Sequence, residues 1–141
     1  MENLKVVSQV ISDIEKKNWE GVEKNLTDDF TFSGAVPQPI GKKEWVSVHR
    51  AIQTGIPDLK MNLQKPTEKG NKVTAKLKLT GTHTAEIPAP LPGMKSIPTT
   101  GRKVVLPEED VEFTFQGDKI SGLYVKPVPH GGVQGIIEQL K

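Results

Sequence analysis

Strict alternation of apolar and polar residues runs through Lys72-Val73-Thr74-Ala75-Lys76-Leu77-Lys78-Leu79-Thr80-Gly81-Thr82-His83-Thr84. A period of two marks a half-buried strand, with Val73, Ala75, Leu77 and Leu79 on the dry face and Thr74, Lys76, Lys78 and Thr80 on the wet one. Continued through Gly81, the register sets His83, a lone titratable imidazole, on the dry side. Shorter alternating runs occur at Leu59, Met61 and Leu63, at Lys103 to Leu106, and at Val111 to Phe115. Another, Ile120 to Val125, places Ile120, Gly122 and Tyr124 on one face. Lys69-Gly70-Asn71 and Gln116-Gly117-Asp118-Lys119 are hairpin turns joining such runs.

The first half of the chain has a different period. Apolar residues at Leu4, Val7, Ile11 and Ile14 predict an amphipathic helix to about Lys17. Asn18 is placed to cap a second short helix, Trp19 to Leu26. A third runs from about Lys42 to Thr54, with Trp45, Val48 and Ile52 on one stripe, His49 beside it and Gly55 as the terminating cap. At the edge of a stripe, a histidine usually serves as a boundary packing group. A short strand at Phe30 to Ser33 and a closing helix from Val133 to Leu140 complete the pattern.

Helices gathered ahead of a hairpin-linked meander predict an α+β fold: a curved antiparallel sheet packed against N-terminal helices in a cone, with a short C-terminal helix. The open mouth of such a cone is the default pocket. The candidate pocket wall is Trp45, His49, Met61, Leu79, Phe113 and Tyr124. Residues 85–100 hold four prolines, which forbid a central strand, yet Ile87, Leu91, Met94 and Ile97 are too apolar for a solvated loop. The segment is expected to fold over the sheet edge, to be buried between subunits, or to act as a lid.

Composition narrows the function classes. A chain of 141 residues fits one domain, residues 1–141, able to bury roughly two thirds of its unfolded surface. Nineteen Lys and Arg against seventeen Asp and Glu give a net charge of +2, spread along the chain. Such dispersion argues against a nucleic-acid partner, which needs a concentrated basic footprint. The chain has no cysteine, hence no disulfide or thiol chemistry. Neither a signal-like start nor a run of about 18 apolar residues appears, so the expected setting is cytoplasmic with no membrane partner. The three histidines lack metal-ligand spacing and there is no phosphate-binding glycine loop, so no metal or nucleotide is expected.

With this order of elements, Gly81-Thr82-His83-Thr84, Pro98-Thr99-Thr100-Gly101-Arg102, Gly117-Asp118-Lys119-Ile120 and Glu138-Gln139-Leu140 resemble the SnoaL-like polyketide cyclase (ester cyclase) family of the nuclear transport factor two-like superfamily. The resemblance runs from about Gly41 to the C-terminus. It implies a cone-shaped fold, commonly homodimeric through the sheet, and a small-molecule ligand. It also implies cofactor-free acid–base chemistry by a pocket histidine and an aspartate on a following strand. His83 matches that histidine. The carboxylate is Glu109 if the strand after Pro107 is regular, or Asp110 if it bulges. Many relatives carry an aspartate after the aromatic position of the last strand, where this chain has Lys126-Pro127-Val128-Pro129-His130.

Three functions stay open on these residues. One is a cyclase, isomerase or related lyase acting on a carbonyl compound. The second is a non-catalytic binder of a small apolar molecule. The third is a dimeric interaction module whose pocket is vestigial and whose contact surface is the segment from Leu91 to Ile97.

Overall fold

The structure is a computed structural model. It describes the chain apart from Met1, Ala35, Pro37, residues 90–93 and Lys141, and apart from the side chains of Glu2 and Val133. Leu91, and with it the start of the expected contact segment, lies outside the described residues.

Helix α1 (Glu2–Glu15) buries Val7, Ile11 and Ile14 of the stripe read from the sequence, and Val10 beside them, while Leu4 is half-buried. Each such side chain contributes about 1.5–3 kcal/mol relative to exposure. The chain turns at Lys17, whose φ is 63°, and Asn18 caps α2 (Trp19–Lys24) by accepting from the Gly21 N–H at 3.3 Å. A Cβ at Gly21 would stand 2.7 Å from Asp13 Oδ2, so this helical glycine is a close-approach position. Helix α3 (Lys42–Gly55) is tied to α1 by Gln53, whose Nε2 donates to the Ile14 carbonyl at 2.7 Å.

Gly55 is the last residue of α3 and not its cap; Ile56 takes that place. The glycine is required by packing: a Cβ would lie 2.2 Å from Ile87 Cγ1. Its carbonyl also accepts from the Thr84 and Ala85 N–H groups at 3.0 and 3.2 Å.

The main sheet holds β1 (Leu26–Ser33), β2 (Ile40–Gly41), β3 (Gln64–Lys69), β4 (Lys72–Leu77), β7 (Glu109–Gln116) and β8 (Lys119–Val125) in the order β2-β1-β8-β7-β4-β3. Pairing is antiparallel except where β1 lies parallel to β8. A second sheet pairs β5 (Thr80–Thr82) with β6 (Lys103–Val105). Helix α4 (Gly132–Gln139) follows the last strand. The result is an α+β fold, a curved sheet with helices packed against it.

The long alternating run is therefore not one strand. It leaves the main sheet after Leu77, where the chain around Asn62 intervenes. The Lys78 N–H donates to the Met61 carbonyl at 2.9 Å, and Asn62 Nδ2 donates to the Lys78 carbonyl at 2.7 Å. Leu59 and Met61 are buried as the alternation requires but belong to this intervening segment, while β3 starts later and is largely exposed.

Two apolar clusters result. One joins α1, the N-terminal half of α3 and the main sheet; the other joins Val48 and Ile52 further along α3 with Ile56, Leu59, Ile87, the small sheet and α4. Of the proline-rich segment, Ile87 is fully buried and bridges to Ile97, so its described part packs against the second cluster.

Candidate functional site

A cavity of about 70 Å³ opens where the two clusters meet. Helix α3 supplies Trp45, Val48, His49 and Ile52, the i, i+3, i+4, i+7 stripe of a single helix face. Opposite stand Glu109 and Val111 of β7, with Leu123 and Val125 of β8. Leu77, Leu79 and Met61 close one side, and Gly132 and Ile136 of α4 another.

Glu109 is inward because β7 pairs with β4 without a shift: Leu77 faces Glu109, Lys76 faces Asp110, and Ala75 faces Val111. Pro107 lies before the strand and leaves its register intact. Glu109 is 4% exposed, and burial in this apolar surrounding pushes its carboxyl above the usual range; the Gly132 N–H, bonding to it from α4, pulls the other way. Asp110 points to solvent and pairs with Lys76 Nζ at 2.9 Å, which holds its carboxyl below the usual range. Asp110 thus stands apart from the cavity, as a surface ion pair.

His49 is buried, and desolvation lowers its pKa to about 4, so the ring is neutral at pH 7. It stands edge-on to Trp45, ring centroids 4.9 Å apart at 82°. Phe30 and Phe32 tilt against the indole with centroids at 5.1 and 6.0 Å, fixing its orientation. His49 Nδ1 and Trp45 Nε1 are both buried without a hydrogen-bond partner. Unpaired buried polar groups are costly, and both lie in the packing behind the cavity wall, with almost no surface of their own.

His83 is elsewhere. It follows β5 with no exposed surface, as its dry-face register requires, but that face belongs to the small sheet. Its Nδ1 accepts from the Thr100 N–H at 3.2 Å and lies 2.8 Å from Thr100 Oγ1. With Nδ1 accepting, the proton of the neutral ring sits on Nε2, which is buried and unpartnered. Neither ring nitrogen meets a carboxylate, and His83 is not among the residues lining the cavity that holds Glu109. The expected pairing of His83 with Glu109 or Asp110 is absent because the chain changes sheets after Leu77.

Trp45, His49, Met61 and Leu79 line the cavity; Phe113 and Tyr124 do not. Phe113 shares Glu109's face but sits deeper in the first cluster, opposite Val73. Tyr124 is 46% exposed on the outer face. The reason is a bulge: Thr114 faces Gly122 while Phe115 faces Ile120, so Ser121 is an extra residue. One extra residue reverses the alternation, turning Leu123 and Val125 inward and Tyr124 outward. The α3 lining residues Val48 and Ile52 were legible in the helical stripe, whereas Ile11, Phe32 and Ile136 carried no signal separating a cavity wall from ordinary core.

Among the described residues there is no group of three or more His, Cys, Asp or Glu able to hold a metal ion. Among them, too, no helix is long and apolar enough to cross a membrane.

The fold has counterparts. A family model of the SnoaL-like polyketide cyclases matches residues 5–122, and the chain belongs to that family. No curated protein matches. Among solved structures, a SnoaL-like protein from Jannaschia sp. CCS1, assigned as a polyketide cyclase, is similar at 17% identity and a TM-score of 0.76, over 99% of this chain and 91% of that one. IdmH from Streptomyces antibioticus, also assigned as a polyketide cyclase, is similar at 16% identity and a TM-score of 0.69, over 89% and 91%. An epoxide hydrolase of the LEH-like type from M. tuberculosis is similar at 13% identity and a TM-score of 0.69, over 99% and 92%. At these identities the likeness is one of fold.

Proposed function

We propose that the protein binds a small carbonyl compound in this cavity and moves a proton on the carbon beside the carbonyl. Glu109 is the base. It takes the proton while the C–H electron pair moves into the carbonyl, and the oxygen that gains charge accepts a hydrogen bond from the neutral His49 ring. Return of the proton at another carbon is isomerisation; attack of the enolate carbon on a second carbonyl of the same molecule is aldol cyclisation, the reaction class that gives the family its name. Neither outcome needs a cofactor.

The observation that carries this reading is the buried Glu109 carboxyl, raised by desolvation, in an apolar cavity that His49 and Trp45 also line. A carboxylate shifted toward neutrality is a stronger base at the pH where an enzyme works. The test is deuterium incorporation from D2O into small cyclic ketones, followed by NMR. Incorporation above the buffer rate that disappears in Glu109→Gln supports the reading, and a buffer rate with wild-type protein contradicts it.

A second reading, binding without chemistry, is favoured by one observation. His49 Nδ1 has no partner, so no carboxylate orients the ring as acid–base catalysis ordinarily requires. Saturable binding without exchange would single it out. Action as one domain over residues 1–141, a cytoplasmic setting and a homodimer through the outer sheet face, where Tyr124 is exposed, belong to the same proposal. A monomer by sedimentation at working concentration would remove the dimer.

A further inference from the structure

The cavity's charge and size restrict what it can take. Among the described residues its lining includes no lysine or arginine, and its two ionisable groups are His49 and Glu109. His49 is uncharged at neutral pH, so no described residue of the wall offsets a negative charge on a ligand. A buried anion without a counterion is strongly disfavoured, the more so beside a second carboxyl. At about 70 Å³, the space is less than half of the roughly 150 Å³ in which a buried apolar cavity accommodates benzene.

We infer that the site takes a neutral, compact carbonyl compound whose buried part is no larger than a single small ring, and rejects carboxylates, phosphate esters and fused polycyclic molecules. The carbonyl rests on the proposed function; the neutrality and the size rest on the wall alone. The His49 ring gives the carbonyl oxygen a hydrogen bond, and the aliphatic wall of Val111, Leu123 and Val125 takes the ring carbons.

Three probes separate the possibilities: cyclobutanone, cyclobutanecarboxylate and α-tetralone, each titrated into the full chain at pH 7.5 while the His49 ring signals are followed by NMR. Cyclobutanone shifting the His49 signals, the carboxylate binding at least about 100-fold more weakly, and α-tetralone leaving those signals unmoved are the expected results. Equal binding of the carboxylate, tighter binding of α-tetralone, or no response to any probe overturns the inference. Deuterium exchange measured on the same samples keeps the two proposals apart. Selective binding of cyclobutanone without exchange supports the charge and size rule while removing the acid–base reading.

Discussion

Glu109 stands directly opposite Leu77 in the β4–β7 ladder, and Leu77 is the last residue of β4 before the chain crosses to the small sheet. This pairing turns Glu109 toward α3 and leaves His83, six residues beyond Leu77, in the other cluster's wall. Because burial raises the Glu109 pKa above its ordinary 4.5, the folded state holds the proton more tightly than the unfolded chain. Wild-type stability therefore falls as pH rises from about 4.5 through the raised folded value. Glu109→Gln keeps an oxygen for the Gly132 N–H and has no charge to bury. Thermal melts across pH should show the variant free of this loss, and exchange activity should fall about 10²–10⁴-fold.

His49 works in the opposite direction. Its pKa drops from 6.5 unfolded to about 4 folded, so the unfolded chain binds the proton first as the solution is acidified. Stability is full above pH 6.5 and declines by about 3 kcal/mol on the way to pH 4. His49→Phe removes the ionisation, and denaturation curves for it should lack that acid-side decline.

Gly55 admits no side chain. An added methyl would meet Ile87 Cγ1 at 2.2 Å and the Ala85 carbonyl oxygen at 2.9 Å. Gly55→Ala is expected to destabilise by about 1–3 kcal/mol despite alanine's better helix propensity. Urea unfolding measures it, and an unchanged midpoint would show that the 84–87 backbone yields.

Beyond the apolar contact of Ile136 with the second cluster, Gln139 ties helix α4 to the small sheet by hydrogen bonds. Gln139 accepts from the Val105 N–H at 2.9 Å and donates to its carbonyl at 2.7 Å, occupying the outer edge of β6 as a neighbouring strand would. Gln139→Ala loses both bonds, at about 1–2 kcal/mol. Hydrogen exchange should then accelerate in α4, the helix that carries Gly132 and Ile136 of the cavity wall.

The helical half of the fold was legible because α1 and α3 each bury one stripe, and stripes are read directly from spacing. The strands were legible as far as alternation is unbroken. Glu109 and Asp110 could not be separated from the sequence, since the choice depends on which residue of β4 each faces. Tyr124 was misassigned because one bulge residue, Ser121, reverses a whole strand and carries no compositional mark. His83 was assigned to the dry side, where it lies, but alternation does not reveal that the chain changes sheets at Lys78. His49 read both as a boundary packing group and as pocket wall, because nothing in a helical stripe announces that the facing wall holds a carboxyl.

In the proposed function, acid–base chemistry resides at Glu109 and not at His83. The direct measurement is the deuterium exchange rate of small cyclic ketones for wild type, Glu109→Gln and His83→Gln, on proteins first shown by circular dichroism to be folded. Exchange is expected to be lost in Glu109→Gln and kept within about threefold in His83→Gln, a difference under 1 kcal/mol in barrier. Exchange kept in Glu109→Gln and lost in a folded His83→Gln would contradict it.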